Sequence, residues 1–181
     1  MRQKLSILLI SAAVIFILYF TAHAHFLRQK QDPTGCGVSH GRDDASSPNK
    51  QNTAFVIDKT DESEVWIESS TSKNCTLVMR TQSGYQAGQL LWSMDGSLLA
   101  FEIYNRDGHS PLTTTHARIS RQDGTGMEEI TLPPPNQQFS TYILQWTDSD
   151  TLLVAAMLPE KENEIHYIFN YKTQHGTFVE P

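Results

Sequence analysis

Two stretches of this chain lie over one another without a gap: Trp92-Ser-Met-Asp-Gly-Ser-Leu98-Leu99-Ala-Phe101 and Trp146-Thr-Asp-Ser-Asp-Thr-Leu152-Leu153-Val-Ala155. Trp, Leu and Leu share offsets, Ser twice faces Thr, and the period is 54 residues. Each copy reads as a strand, a tight polar turn and a strand, with another hairpin after it. A unit of this kind cannot bury its apolar face alone, so copies must stack. Trp92, Leu98, Leu99, Trp146, Leu152 and Leu153 are the expected core of the repeat. A degenerate third copy is expected within Val56 to Ile67, where Trp66 replaces a Leu.

Around the repeat, short apolar or β-branched runs alternate with turn residues. Ser93-Met-Asp-Gly96, Asp123-Gly-Thr-Gly126, Thr147-Asp-Ser-Asp150 and Lys172-Thr-Gln-His-Gly176 each separate two such runs. Asp-Gly between apolar runs is a strong hairpin signal. After the first 24 residues no segment keeps a helical period over 11 or more residues. The body is therefore expected to be all-β and antiparallel, with ten or eleven strands.

Trp92-Ser-Met-Asp-Gly-Ser-Leu-Leu-Ala-Phe101 resembles the W-S-P-D-G-x-x-L-A-F opening of blades in TolB-like β-propellers, which also occurs in prolyl-oligopeptidase-type propeller domains. Met94 stands in place of the usual proline, and Asp148-Ser-Asp150 in place of Pro-Asp-Gly. The resemblance covers Gln89 to Glu180 as two blades with half a blade before them, and implies four-stranded antiparallel sheets, two to three in all. It implies no activity, because scaffolds, binders and enzyme lids share these blades. A closed propeller takes at least four blades, and the 127 residues from Phe55 to Pro181 supply only two to three. Either the sheets pack on one another as a compact stack, or copies associate into a homo-oligomer that covers the open faces.

Ahead of this body, Met1-Arg-Gln-Lys4 precedes an uncharged run from Leu5 to Ala24. Twenty helical residues span roughly 30 Å, the hydrocarbon thickness of a bilayer. Ala22-His23-Ala24 fits a signal-peptidase site. Residues 1–24 are thus read as a hydrophobic helix, either a cleaved signal peptide or an uncleaved membrane anchor. The remainder is expected to be exported, facing the periplasm or the extracellular side, or secreted after cleavage. Alkaline phosphatase fused after Pro181 should be active; activity of a cytosolic reporter alone would refute export. Residues 25–53, rich in Gly, Pro and polar side chains, read as a flexible linker. Residues 54–181 form the blade-like domain. In an exported chain Cys36 and Cys75 invite a disulfide, although no strand pattern holds Cys36 near Cys75. Asn74-Cys75-Thr76 fits the glycosylation acceptor pattern.

The 20 acids and 14 bases give a net charge of −6, which excludes the basic footprint of a nucleic-acid binder. No nucleophile elbow, P-loop, dinucleotide fingerprint, H-E-x-x-H or C-x-x-C motif is present. Ser110 lacks the flanking glycines, and His109 and His116 are too few for a metal centre. Asp148 and Asp150 miss EF-hand spacing, and Glu128 and Glu129 alternate across a strand. Trp66, Trp92 and Trp146 read as packing residues rather than a sugar platform. No catalytic, metal or cofactor site is expected. The expected function is a non-enzymatic interaction module with an unidentified protein partner. The alternatives are an accessory of an envelope hydrolase and a glycan- or peptide-binding protein.

Overall fold

In the computed structural model, residues 31–32, 41–106, 115–133, 140–157 and 164–179 are described. The leader, Cys36, His109 and Ser110 lie outside them. Every described element is a strand: β1 (Gln31–Asp32), β2 (Arg42–Ser46), β3 (Asn52–Asp58), β4 (Ser63–Ser69), β5 (Cys75–Arg80), β6 (Tyr85–Trp92), β7 (Leu98–Asn105), β8 (His116–Arg121), β9 (Glu128–Glu129), β10 (Ser140–Trp146), β11 (Thr151–Met157), β12 (Glu164–Asn170) and β13 (His175–Val179). They form three antiparallel sheets, β2-β3-β4-β5 with β1 on the β5 edge, β6-β7-β8-β9 and β10-β11-β12-β13. We call these blades 1, 2 and 3. Among the described residues no helix is long and apolar enough to cross a membrane.

β2, β6 and β10 are the inner strands, with β6 between β2 and β10. Because side chains alternate across a strand, blade 2 carries two apolar faces. Leu99, Phe101 and Ile103 pack with Ala54, Val56, Val65 and Ile67 of blade 1. Leu98, Ala100, Ala117 and Ile119 pack with Ile143, Trp146, Leu152 and Val154 of blade 3. Two sheet-on-sheet cores thus take the place of one central core.

The repeat fixes how blades meet. Trp92 Nε1 donates to the carbonyl of Ala45 in β2 at 2.9 Å, and Trp146 Nε1 donates to the carbonyl of Leu91 in β6 at 3.0 Å. Both indoles are buried, at 8% and 7% exposure. Each tryptophan therefore docks on the inner strand of the preceding blade through the same bond.

Three sequence expectations need correction. Two strands of the first sheet lie inside the expected linker, β1 on the β5 edge and β2 from Arg42, where Ala45 is the seat of Trp92 and Ser47 is buried in the following turn. The third copy of the motif lies at Ser46 to Phe55, not at Val56 to Ile67. There Ser47 Oγ donates to Asn49 Oδ1 at 2.7 Å and accepts from Asn52 N at 3.0 Å. Ser93 Oγ does the same with Asp95 Oδ1 at 2.7 Å and Leu98 N at 3.0 Å. Lys50 and Gly96 both take a positive φ, 57° and 74°, a conformation that glycine adopts without steric cost. Finally, Trp92 pairs with Leu99, but Trp146 pairs with Leu152. The third turn is one residue shorter, and a slip of one reverses the face of every later side chain. Leu152 thus takes the place of Leu99, and Leu153 leaves the core for the outer face of blade 3, where it is half-buried.

Ser93→Ala would leave the buried Leu98 N–H without its acceptor, at a cost of about 1–2 kcal/mol. Thermal unfolding should show a midpoint lowered by a few degrees; an unchanged midpoint would remove the turn hydroxyl from the account of the fold.

Candidate functional site

Antiparallel pairing brings the end of β5, the start of β6, the end of β7 and the start of β8 to one end of the blades. A cleft of about 270 Å³ opens there between blades 1 and 2, lined by Met79, Arg80, Gln82, Tyr85, Ile103, His116, Arg118 and Glu129. His116 and Arg118, two apart on β8, share a face. Glu129 on β9 meets both, with Oε1 3.0 Å from His116 Nδ1 and Oε2 3.0 Å from Arg118 Nη2. On the opposite wall Arg80 Nη2 lies 2.6 Å from Glu64 Oε1, and Arg80 Nε 3.3 Å from Glu62 Oε1. Burial pushes the Glu64 carboxyl up, but hydrogen bonds from Arg80 and Trp66 and the charges of Lys59 and Arg80 outweigh it and hold the group below its usual range.

Nearer the inner strands, Arg42 ties blades 1 and 2 together. Its Nε donates to Asp58 Oδ2 at 3.0 Å, Nη1 to the Tyr104 hydroxyl at 2.9 Å and Nη2 to the Ala87 carbonyl at 2.8 Å. Gly88 makes this reach feasible, since a Cβ there would come within 3.1 Å of Tyr104 Cε1. Burial raises the Asp58 carboxyl, yet hydrogen bonds from Ser63 and Arg42 and the Arg42 charge prevail and lower it. Each of the three guanidinium nitrogens of Arg42 is engaged, so this network reads as a clasp between blades.

One buried carboxyl lies between blades 2 and 3. Glu102 on β7 is 6% exposed, and its Oε1 accepts from Ile143 N at 2.7 Å. Burial pushes it up to about 7, against the opposing pull of that hydrogen bond. No sequence motif marks Glu102; its register opposite a neighbouring inner strand does. A second groove, of about 480 Å³, lies at the other end of blades 1 and 2. Its lining of amides and hydroxyls includes Asn52, Thr71, Asn74 and Gln122, with Asp123 as the one carboxylate among the described residues.

The residues singled out by sequence separate cleanly. Trp92 and Trp146 are buried and bonded, and Trp66 Nε1 donates to Glu64 Oε2 at 3.1 Å. Asp148 Oδ1 accepts from Asp150 N at 2.8 Å within their turn, and Asp150 pairs with Lys172 in the turn between β12 and β13. Cys75 is buried and disulfide-bonded; Cys36 is outside the described residues. His116 meets Glu129, a partner that sequence spacing did not indicate. Among the described residues no cluster of His, Cys, Asp or Glu could hold a metal ion.

No protein-family model matches the sequence, and no curated protein does. Solved structures do. A dipeptidyl peptidase 4 from Porphyromonas gingivalis superposes with a TM-score of 0.61 at 15% identity, over 75% of this chain and 25% of that one. TolB from Acinetobacter baumannii gives 0.52 at 12% identity, over 77% and 32%. A conserved lipoprotein from Clostridium novyi gives 0.55 at 13% identity, over 78% of this chain and 93% of that one. The chain thus spans a quarter of the peptidase and about a third of TolB, and most of the lipoprotein. At these identities the likeness shows the fold alone, which is that of TolB-like propeller blades.

Proposed function

We propose that a chain with the fold of three TolB-like propeller blades works as a non-enzymatic interaction module, exported or membrane-tethered, whose third blade is completed by a protein partner. One observation carries this reading. Ala54 pairs with Ile67, Ala100 with Ile119 and Leu153 with Ile168 at the same place in the three blades. Blade 2 covers the first pair and blade 3 the second. Leu153 and Ile168 are half-buried on the outward face of blade 3, Leu144 beside them is 39% exposed, and no further blade lies over them among the described residues. The partner that fits is another sheet with an apolar face, as blades 2 and 3 are for their predecessors. Blade 1 is not the equivalent free end, since outward-facing Phe55 is only 1% exposed.

A photo-crosslinking residue at Leu144, in the full chain in its own membranes, should give a discrete protein adduct. The double variant Leu153→Glu/Ile168→Glu should lose that adduct while keeping its β-sheet circular dichroism. No adduct, or one indifferent to the double variant, would overturn the reading. An adduct of twice the chain's mass would identify the partner as a second copy.

A further inference from the structure

We propose that the cleft between blades 1 and 2 binds a carboxylate, and that its ligand is an acidic side chain of an extended peptide. This site is separate from the blade 3 face and does not depend on it. The argument is an imbalance of donors over acceptors. A guanidinium carries five N–H donors. Arg118 places Nη2 on Glu129, Nη1 finds only Met79 Sδ at 4.0 Å, and Nε is buried with no partner. A thioether is a weak acceptor, so most of this hydrogen-bonding capacity is unmet. Around it, His116 spends Nδ1 on Glu129 and leaves Nε2 over, while the Tyr85 hydroxyl and the Gln82 amide have no protein partner among the described residues. Among the described residues Glu129 is the only carboxylate lining the cleft, and it is already engaged by Arg118 and His116.

A ligand that evens this account must bring acceptors, and a planar carboxylate matches the guanidinium fork. Charge selects a monoanion over a phosphate dianion, because Glu62 and Glu64 already balance Arg80 and Glu129 faces Arg118. Size selects a side chain over a whole metabolite, since about 270 Å³ falls below the usual range for small-molecule pockets. Met79 and Ile103 supply apolar wall for the methylenes of such a side chain.

The test is titration calorimetry of the full chain in detergent with acetyl-Gly-Glu-Gly-amide, its Gln counterpart, glutarate and inorganic phosphate. The Glu peptide should bind at least tenfold tighter than the Gln peptide and than phosphate. Arg118→Lys should weaken it tenfold or more, by loss of the fork geometry, and Tyr85→Phe and His116→Gln each by about threefold. The last two, at part-exposed positions, keep the test decisive if Arg118→Lys unfolds. Equal binding of the Glu and Gln peptides, binding indifferent to these variants, or no heat up to ~10 mM, the weak end of specific affinity, would overturn the proposal. Glutarate binding as tightly as the Glu peptide would overturn the peptide as source.

Discussion

Trp146→Ala is expected to lower the free energy of unfolding by about 3–5 kcal/mol, a large share of the 5–15 kcal/mol typical of a domain. The indole is buried between Leu98, Ala100 and Ala117 of blade 2 and Leu152 of its own blade. Its removal deletes the largest side chain of the blade 2–blade 3 core and leaves the Leu91 carbonyl without its donor. Trp146→Phe separates the two effects. The ring remains, the N–H is lost, and the cost should be about 1–2 kcal/mol. Trp92→Ala should behave alike at the other interface, because Trp92 repeats the bond to Ala45. Urea unfolding measures these values, and a Trp146→Ala cost below about 1 kcal/mol would mean that the indole does not hold the blades together.

Glu102→Gln should act in the opposite direction and depend on pH. The carboxyl is raised from 4.5 to about 7 by burial beside Ile143. Between those values the folded protein keeps a proton that the unfolded chain has released. Stability therefore falls as pH rises through this window and levels off above it. Glutamine preserves the acceptor for Ile143 N–H and removes the charge, so the variant should show no slope there and be more stable at pH 8 by up to about 3 kcal/mol. Denaturation at pH 5, 6, 7 and 8 checks this. Parallel profiles for the two proteins would mean that Glu102 titrates normally.

Much of the fold was legible because apolar runs and Asp-Gly turns are local signals. Trp92-Ser-Met-Asp-Gly-Ser-Leu-Leu-Ala-Phe101 named a blade from ten residues. Blade 1 hid its copy of the motif because Ser46 stands where the indole would be and Asn49-Lys50 where Asp-Gly would be. The turn survives on the Ser47 hydroxyl and the left-handed Lys50, which propensity does not favour. The misplacement of Leu153 has a related cause. Residue offsets match across the two copies, yet the turn at Thr147 closes through Thr147 N to the Thr151 carbonyl, a residue earlier than Ser93 N to the Leu98 carbonyl. Nothing in the letters marks that difference. The cleft was illegible for another reason. Tyr85, His116 and Glu129 come from three strands of blade 2, and Met79 and Arg80 of blade 1 join them only when the blades stack.

The indole bonds give the array a direction. Trp146 reaches back to Leu91 and Trp92 to Ala45, and each acceptor is the residue just before the blade's tryptophan position. In blade 3 that place falls to Gln145, paired with Leu153 as Leu91 is with Ala100 and Ala45 with Ala54. Blade 1 offers Ser46 and so has no indole to extend toward a predecessor. The module is therefore polar in the manner of a zip with one leading end. A newcomer that carries its own tryptophan meets a ready-made latch beyond blade 3, whereas one arriving before blade 1 receives none.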